Sequence, residues 1–399
     1  MITKDEGAAL AGLEHITWLI PLQLVLAAFA LAAVAAALLT VLLVAGGPID
    51  IPRERGSHVK PTPTSGGLAV MAATGLTVGL FALVYGRSIP GNWRDGALLF
   101  GFAALMGLSG ALDDLFDLPP KLRLLFQAGL CLLFAFFYRV TTLDFGPGLV
   151  VHLWWPVGVL GSAAWLVLGI NTINFMDGAN GLAPGTQAIA LIVLAVLMLL
   201  LAPLSLLGGY LGIILVICVC AAGAHVGFMP FNLPMGRVFQ GDAGALFGGA
   251  LITGATLVIK AYGVGSVWFG GFLLAPLLVD VVLTLVTRAR EGKPLMRPHK
   301  DHLYQLWLQR RDPSHGGLAL RIWFLCALSS AVGVAARLID EICHTDLRFF
   351  CLVVVILAYS LAWGRIRKRL LSRAPVAANR ADSPADLAED APVTITKLP

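Results

Sequence analysis

The chain has 399 residues, of which 58% are hydrophobic and only 13% are charged, and its mean hydropathy is +0.84. Because a soluble domain carries roughly 25% charged residues, this composition excludes an ordinary soluble protein and predicts a polytopic membrane protein. The apolar runs approach the roughly 20 residues that a spanning helix needs, whereas a β-barrel would alternate in segments of about 10 residues. The net charge of +5 is therefore interpreted by side of the membrane, and we expect no nucleic-acid partner.

Eleven apolar runs predict an all-α integral membrane bundle of about eleven transmembrane helices. The predicted spans are 17–46, 66–86, 95–112, 121–138, 149–171, 184–202, 206–228, 244–262, 267–287, 319–337 and 347–363. They form one multi-span domain over 1–373. The remaining segment, 374–399, is rich in Ala, Pro, Asp and Asn without an apolar period, so we expect a disordered tail.

The loops between the spans alternate between the two sides of the membrane. The loops at 47–65, 112–121, 171–183, 229–243 and 288–318, and the tail, fall on one side and carry most of the Lys and Arg residues. The positive-inside rule makes this side cytoplasmic, so the N-terminus is expected in the periplasm and the C-terminus in the cytoplasm. All five loops are rich in Asp, Asn, His or Gly, which predicts one cytoplasmic active-site cleft.

The first of these loops, 53–67, carries Lys60 between a basic stretch and the pair Gly66-Gly67. A lysine near backbone N–H groups suits a phosphate or the edge of a base. The alternative is a basic patch that touches anionic lipid.

The second loop, 112–127, begins with adjacent carboxylates, Asp113 and Asp114, and continues through Asp117 to Lys121 and Arg123. Neighbouring carboxylates at a membrane surface repel each other unless a metal or another cation neutralises them. Lys121 and Arg123 follow at a depth that suits a lipid phosphate. The alternative is that Asp117 caps the next helix and that the other charges are ordinary interfacial ones.

The third loop, 171–183, places Asn171, Asn174, Asp177 and Asn180 at the end of an apolar run. Carboxylate and amide oxygens are hard ligands that suit Mg²⁺, and Asn also reads the edges of a sugar or base. The alternative is a polar turn between two helices.

The fourth loop, 228–244, contains Asn232, Phe239 and Asp242. Phe239 has the flat ring needed to stack on a base. Asp242 lies between glycines at a helix entrance, where it serves either as a metal ligand or as a helix N-cap.

The fifth loop, 288–318, is the longest and most basic, and it contains His299 and His302. The two histidines share one face if the segment is helical, and with their basic neighbours they fit a diphosphate. The alternative is a solvated amphipathic helix. Asp280 lies deeper in the preceding span, and we expect it to pair structurally with Arg288 through an intervening water rather than to act in the site.

Together the loops resemble the polyprenyl-phosphate N-acetylhexosamine-1-phosphate transferase family, glycosyltransferase family 4. The resemblance covers about 50–310 and rests on five segments in family order: KPTPTSGG, DDLFDLPPKLRLLFQ, NTINFMDGANGLA, FNLPMGRVFQGDAG and RPHKDHLYQ. Eleven spans match the branch that transfers GlcNAc-1-phosphate better than the ten-span phospho-MurNAc-pentapeptide translocase.

The resemblance implies that undecaprenyl phosphate attacks a UDP-N-acetylhexosamine and that UMP leaves. It implies Mg²⁺, with Mn²⁺ as an alternative, a location in the bacterial inner membrane, and room for a homodimer. It also implies roles for particular residues. These are Asn174 and Asp242 on the metal; Asp113 and Asp114 in orienting the lipid phosphate or acting as its base; Lys121, Arg123, His299 and His302 on the lipid phosphate or diphosphate; and Lys60, Asp177, Asn180, Asn232 and Phe239 on the nucleotide sugar.

The donor sugar stays open. His-Lys-Asp-His stands where the translocase carries consecutive histidines, which favours UDP-GlcNAc or a 6-deoxy-HexNAc donor and an O-antigen, exopolysaccharide or cell-wall product over MurNAc-pentapeptide. Two rivals are weaker. A DDxxD prenyl transferase lacks its second aspartate-rich segment here, and a secondary transporter would place polar groups at mid-membrane.

Overall fold

The apolar runs form long helices, and the predicted all-α membrane architecture is confirmed. The computed structural model describes residues 4–44, 49–50, 62–85, 93–207, 209–295, 297, 299–312 and 314–374, with side chains of the first helix described from Leu22. Among the described residues, eleven helices are long and apolar enough to cross a membrane.

The helices follow one another with short connections. They are α1 Lys4–Val44, α2 Gly66–Tyr85, α3 Arg94–Phe116, α4 Pro120–Phe137, α5 Trp155–Phe175, α6 Leu182–Leu201, α7 Leu204–Leu207, α8 Tyr210–Asn232, α9 Gly241–Ala261, α10 Phe269–Arg290, α11 Leu303–Arg310, α12 His315–Cys343 and α13 Arg348–Leu371. Two antiparallel strand pairs join β1 (Ile49–Asp50) to β2 (Thr62–Pro63) and β3 (Thr142–Asp144) to β4 (Val150–His152).

Several predicted boundaries were wrong. The span predicted from 149 starts with strand β4, and its helix begins only at Trp155, with a proline in its first turn. Helix α12 extends past both ends of 319–337, and α13 continues from 363 to Leu371. Hydropathy detects the part of a helix that matches the bilayer core, whereas these helices continue as hydrogen-bonded turns through polar sequence.

Helix α9 lies at the centre of the bundle, and its residues from Ala243 to Ile259 are buried. Glycines let its neighbours approach closely. A Cβ on Gly67 would lie 2.1 Å from the amide nitrogen of Gly244, and a Cβ on Gly110 would lie 2.4 Å from the carbonyl of Asp242. Helices α2 and α3 therefore meet the start of α9 backbone to backbone, which brings polar loop residues together at one end of the bundle.

The predicted disordered tail cannot be compared with this fold, because the segment from 375 onward lies outside the described residues.

Candidate active site

Arg123, in the first turn of α4, contacts carboxylates from two other helices. Its Nη1 donates to the carboxylate of Asp113 at the end of α3, and it lies 3.0 Å from Oδ2 of Asp242 at the start of α9. Arg123 and Asp242 are each about a quarter exposed, and Asp113 is more buried. The guanidinium thus holds two carboxylates together that would otherwise repel each other.

Asp114 joins this cluster through the backbone of α9. Its carboxylate oxygens accept from the amides of Asp242 and Ala243 at 3.3 Å and 3.4 Å. The first amides of a helix have no intrahelical acceptor and carry the positive end of its dipole. The start of α9 therefore stabilises the negative charge of Asp114.

Both alternatives in which an aspartate is the N-cap of a helix are wrong. Asp117 ends α3 in the left-handed conformation with φ 49°, and Pro119 occupies the N-cap position of α4. Asp242 lies inside the first turn of α9, after Gln240 at the N-cap position. Helix α4 begins at Pro120, one residue before the predicted span 121–138.

Asn174, near the end of α5, completes the contact set around Asp242. Its amide nitrogen lies 3.5 Å from Oδ2 of Asp242, and its Oδ1 is buried without a hydrogen-bond partner among the described residues. A buried amide oxygen without a partner is costly and fits a hard cation. No three His, Cys, Asp or Glu side chains of the described segments form a metal cluster, so a cation here needs the amide and ligand oxygens as well.

Asp177, two residues after α5, is a fourth carboxylate near the cluster. Its amide donates to the carbonyl of Asn174 at 3.2 Å. Burial raises the pKa of Asp177 well above its ordinary value, and the neighbouring carboxylate of Asp242 raises it further. The site therefore carries an excess of negative charge that favours a proton or a cation.

The next two predicted residues hold loops together. The Asn180 amide donates to Nδ1 of His315 at 3.0 Å. The Asn232 side chain is buried, accepting from the amide of Gly181 and donating to the carbonyl of Val238 at 2.9 Å. The Asn232 side chain thus links the third loop to the fourth loop by hydrogen bonds.

The start of α2 is paired with the fourth loop. The Phe239 amide donates to the carbonyl of Pro63 at 2.8 Å, and the carbonyls of Phe239 and Gln240 accept from Gly66 and Gly67. Phe239 is half-buried at this junction. Lys60, the other residue predicted here, lies outside the described residues.

Lys121 lies at the start of α4, two positions before Arg123, and its side chain is exposed. Two cations of α4 are thus available at this end of the bundle, one fixed between carboxylates and one open to an approaching anion.

The two histidines of the fifth loop do not share a helix face. His299 is in an irregular segment, and His302 occupies the N-cap position of α11. Their rings are nevertheless close, with centroids 4.9 Å apart, and the His302 ring lies 6.2 Å from that of Phe175 at the end of α5. Burial and the neighbouring cationic groups lower the pKa of His299 to about 4, and burial lowers that of His302. Both imidazoles are therefore neutral at pH 7.

The expected pairing of Asp280 with Arg288 is wrong, although its structural role is not. Arg288 pairs with Asp301 and donates to the carbonyl of Pro294. Asp280 instead accepts from the amides of Leu303 and Tyr304 at the start of α11.

Sequence reasoning missed three side chains that contact the third loop. Tyr304 donates to the carbonyl of Phe175 at 3.2 Å, Trp323 donates to that of Gly181 at 3.0 Å, and His315 accepts from Asn180. Tyr304 lies inside the quoted segment RPHKDHLYQ, where it was assigned no role. Trp323 belongs to an ordinary apolar run, whose pattern carries no signal for this contact. His315 lies in the predicted fifth loop, where a histidine could have been chosen as a candidate.

Comparison with known proteins identifies the family of the chain. The profile of glycosyl transferase family 4 matches residues 97–260. The chain is 31% identical to the decaprenyl-phosphate N-acetylglucosaminephosphotransferase of Mycobacterium tuberculosis, over 66% of this chain and 69% of that protein. It is 29% identical to a probable undecaprenyl-phosphate N-acetylglucosaminyl 1-phosphate transferase of Bacillus subtilis, over 65% and 69%, and 27% identical to the phospho-N-acetylmuramoyl-pentapeptide-transferase of Granulibacter bethesdensis, over 73% and 84%. The chain therefore belongs to glycosyl transferase family 4, the polyprenyl-phosphate N-acetylhexosamine-1-phosphate transferases whose signature segments it carries.

Proposed function

We propose that the protein transfers a HexNAc-1-phosphate from a UDP-sugar to undecaprenyl phosphate, releasing UMP and leaving an undecaprenyl diphosphate sugar in the membrane. The donor is UDP-GlcNAc or a 6-deoxy relative of it. The product begins the assembly of an O-antigen, an exopolysaccharide or a cell-wall glycan on its lipid carrier.

The observation that carries this proposal is the meeting of Asp113, Arg123, Asn174 and Asp242 at one end of a membrane bundle. These side chains come from four different helices, and they provide both acceptors for cations and a donor for anions. Both substrates of the proposed reaction are anionic at their reacting ends, so their approach requires such neutralisation.

Asp242 and Asn174 would hold the Mg²⁺ ion. Asn174 contacts Asp242, and the Oδ1 of Asn174 has no hydrogen-bond partner among the described residues. Mn²⁺ has the same preference for oxygen ligands. When bound, the ion would offset the charge of the sugar diphosphate and of the departing UMP.

Arg123 and Lys121 would bind the phosphate of the lipid acceptor. Arg123 is pre-positioned by Asp113 and Asp242, so little side-chain entropy is lost when it binds a phosphate. Asp113 and Asp114 would orient that phosphate or accept its last proton. A phosphate monoester is largely ionised at pH 7, and orientation alone then suffices.

The neutral imidazoles of His299 and His302 would lie near the sugar diphosphate as hydrogen-bond donors. Asp177, Asn180 and Phe239, together with Lys60, would bind the uridine end, where Phe239 stacks on the base. Asn232 would act on this end through the loops that it braces.

The donor assignment is supported by the similarity to two relatives that are named as transferases of N-acetylglucosamine phosphate. The alternative donor, a UDP-MurNAc-pentapeptide, is supported by the similarity to phospho-N-acetylmuramoyl-pentapeptide-transferases. The His-Lys-Asp-His sequence of the fifth loop favours the first donor.

The test is UMP release by the purified protein in detergent with Mg²⁺, undecaprenyl phosphate and a panel of UDP-HexNAc donors. We expect UMP from one donor only, dependent on both the lipid and the metal. Folded protein that releases no UMP from any donor, including UDP-MurNAc-pentapeptide, would contradict the proposal and revive the transporter alternative.

A further inference from the structure

Asp280 is a carboxylate within span α10 that accepts from Thr284 Oγ1 of its own helix at 3.2 Å and from donors of two other elements. The residue is 4% exposed. Its Oδ1 accepts from the amide of Leu303 at 2.8 Å and from the indole of Trp363 at 3.0 Å, and its Oδ2 lies 3.3 Å from the amide of Tyr304. A carboxylate inside a span is costly unless it is fully hydrogen-bonded, so these contacts fix the start of α11 onto α10.

Helix α13 also forms hydrogen bonds with α11 at both of its ends. Besides Trp363, its Arg367 donates to the carbonyl of Asp301, just before α11, at 2.6 Å. At the other end of α11, Arg310 donates to the carbonyls of Leu371 and Arg373. The apolar stretch of α13 is almost entirely unburied, yet the polar contacts of this helix reach both ends of α11.

Helix α11 in turn presses on the third loop of the active site. The Tyr304 hydroxyl donates to the carbonyl of Phe175 at 3.2 Å. Gly178 lies so close that a Cβ there would be 2.2 Å from this hydroxyl. Phe175 directly follows Asn174, and Gly178 directly follows Asp177. The contacts thus run from α13 through Asp280 and Tyr304 to the residues beside Asp242.

We infer that Asp280 is a positioning residue for the transfer reaction, and that Trp363 of α13 is its clamp. Together they hold α11, and with it His302 and Tyr304, against the loop that carries Asn174 and Asp177. This inference rests on the proposed function for the identity of the reaction. Groups that act on a diphosphate must be placed within fractions of an ångström, and a backbone-to-carboxylate anchor on a buried helix supplies that rigidity.

The test compares two single hydrogen bonds of α13. Trp363→Phe removes the donor to Asp280 and keeps an aromatic ring. Tyr359→Phe, one turn earlier on the same helix, removes a hydroxyl that donates to the carbonyl of Leu325 at 2.8 Å, on α12 and away from α11. Asp280→Asn keeps the shape of the side chain but replaces one acceptor oxygen by an NH₂ group. One main-chain amide of α11 then faces a donor instead of an acceptor.

We expect Trp363→Phe to lower kcat roughly fivefold, the effect of one net hydrogen bond, and Asp280→Asn to lower it roughly 100-fold. The KM for the UDP-sugar should change little in both variants, and Tyr359→Phe should keep wild-type kcat. Amide hydrogen exchange should become faster at Leu303 and Tyr304 in Trp363→Phe and Asp280→Asn but not in Tyr359→Phe. A purely structural role would lower the melting temperature without changing kcat per folded molecule.

The outcomes separate this inference from the proposed function. A wild-type protein without UMP release contradicts the proposed function, and the exchange rates at Leu303 and Tyr304 still test the anchor. An active wild type whose Trp363→Phe variant keeps both its kcat and its exchange rates overturns the inference and leaves the proposed function standing. If Asp280→Asn fails to fold, Trp363→Phe against Tyr359→Phe decides.

Discussion

At the scale of single residues, the site is a concentration of negative charge. Asp113, Asp114 and Asp242 converge there, Asp177 lies close by, and Arg123 contacts two of the four. Such a cluster destabilises the empty protein and is tolerated where a bound cation completes it. Removing one carboxylate should therefore harm activity without harming the fold.

Asp242→Asn tests whether this charge supports activity and not the fold. The variant keeps the size of the side chain but loses the charge that faces Arg123 and Asn174. We expect UMP release to fall about 100-fold or more, as for the loss of one electrostatic group in a transition state. The melting temperature in detergent should stay the same or rise, because one like-charge repulsion is lost.

Asp117→Asn is the matched control. It makes the same chemical change four residues after Asp113, at an exposed left-handed position that Asn tolerates. It should keep wild-type activity. Wild-type UMP release by Asp242→Asn would remove Asp242 from the proposed metal site.

The chemistry of these residues was predictable because polar side chains at the end of an apolar run are visible in the sequence itself. Asn174, Asp242 and the Asp113-Asp114 pair needed no structure to be chosen as candidates. The partners of Tyr304 and Asp280 were not predictable in this way. Their contacts join segments that are about 130 and 80 residues apart, and no local period encodes such pairings.

At the scale of elements, the site depends on how closely α2 meets α9. Gly67 has its Cα against Gly244, and a side chain on Gly67 would overlap the backbone of α9 rather than a movable side chain. The same residue donates to the carbonyl of Gln240 at 2.9 Å. The amides of the glycine pair, which the sequence placed beside Lys60 for a phosphate, are thus used to join α2 to the fourth loop.

Gly67→Ala should separate α2 from α9 and lower the melting temperature in detergent by several degrees, since overpacking costs roughly 1–3 kcal/mol. Gly79→Ala is its control on the same helix. A Cβ at Gly79 would have no heavy atom within 4 Å, and alanine has a higher helix propensity than glycine. This variant should therefore be at least as stable as the wild type. Equal melting temperatures for the two variants would contradict the close approach.

The segment that leads into α11 adds a dependence on pH. Burial and the neighbouring cationic groups lower the pKa of His299 to about 4, from about 6.5 in an unfolded chain. The folded protein therefore binds fewer protons than the unfolded chain between these values. The contribution of His299 to the free energy of unfolding is fully present above pH 6.5 and is lost as the pH falls towards 4.

We expect the melting temperature to fall over that range and the fall to be smaller in His299→Gln, whose side chain does not titrate. His302, with its own lowered pKa, should account for part of the remaining slope. His152→Gln, at an exposed position of β4, is the control for replacing an imidazole by an amide elsewhere in the chain. A His299→Gln profile that matches the wild type would show that this imidazole gains no proton on unfolding.

At the scale of the whole molecule, span number and loop chemistry determine which end of the bundle holds the site. The described residues contain eleven candidate spans, and an odd number of spans predicts that the two termini lie on opposite sides. Their existence was predictable because length and hydropathy are local properties, whereas the ends of α12 and α13 depend on packing beyond the apolar run. The asymmetry of Lys and Arg between the two sets of loops then favours a cytoplasmic site, where UDP-sugars are available.

Native Cys343 gives a direct test of this orientation. It is the last residue of α12 and is exposed, whereas Cys351 is half-buried and Cys131, Cys218, Cys220 and Cys326 are buried. We expect a membrane-impermeant maleimide to label Cys343 in intact spheroplasts and to label nothing in the double variant Cys343→Ser/Cys351→Ser. Glu291→Cys in that background reports the opposite side, because Glu291 is exposed after α10 in the fifth loop. It should react only after permeabilisation. The reverse pattern would place Asp113, Arg123 and Asp242 outside the cell, where they could not meet a nucleotide sugar, and the proposed reaction would fail with the topology.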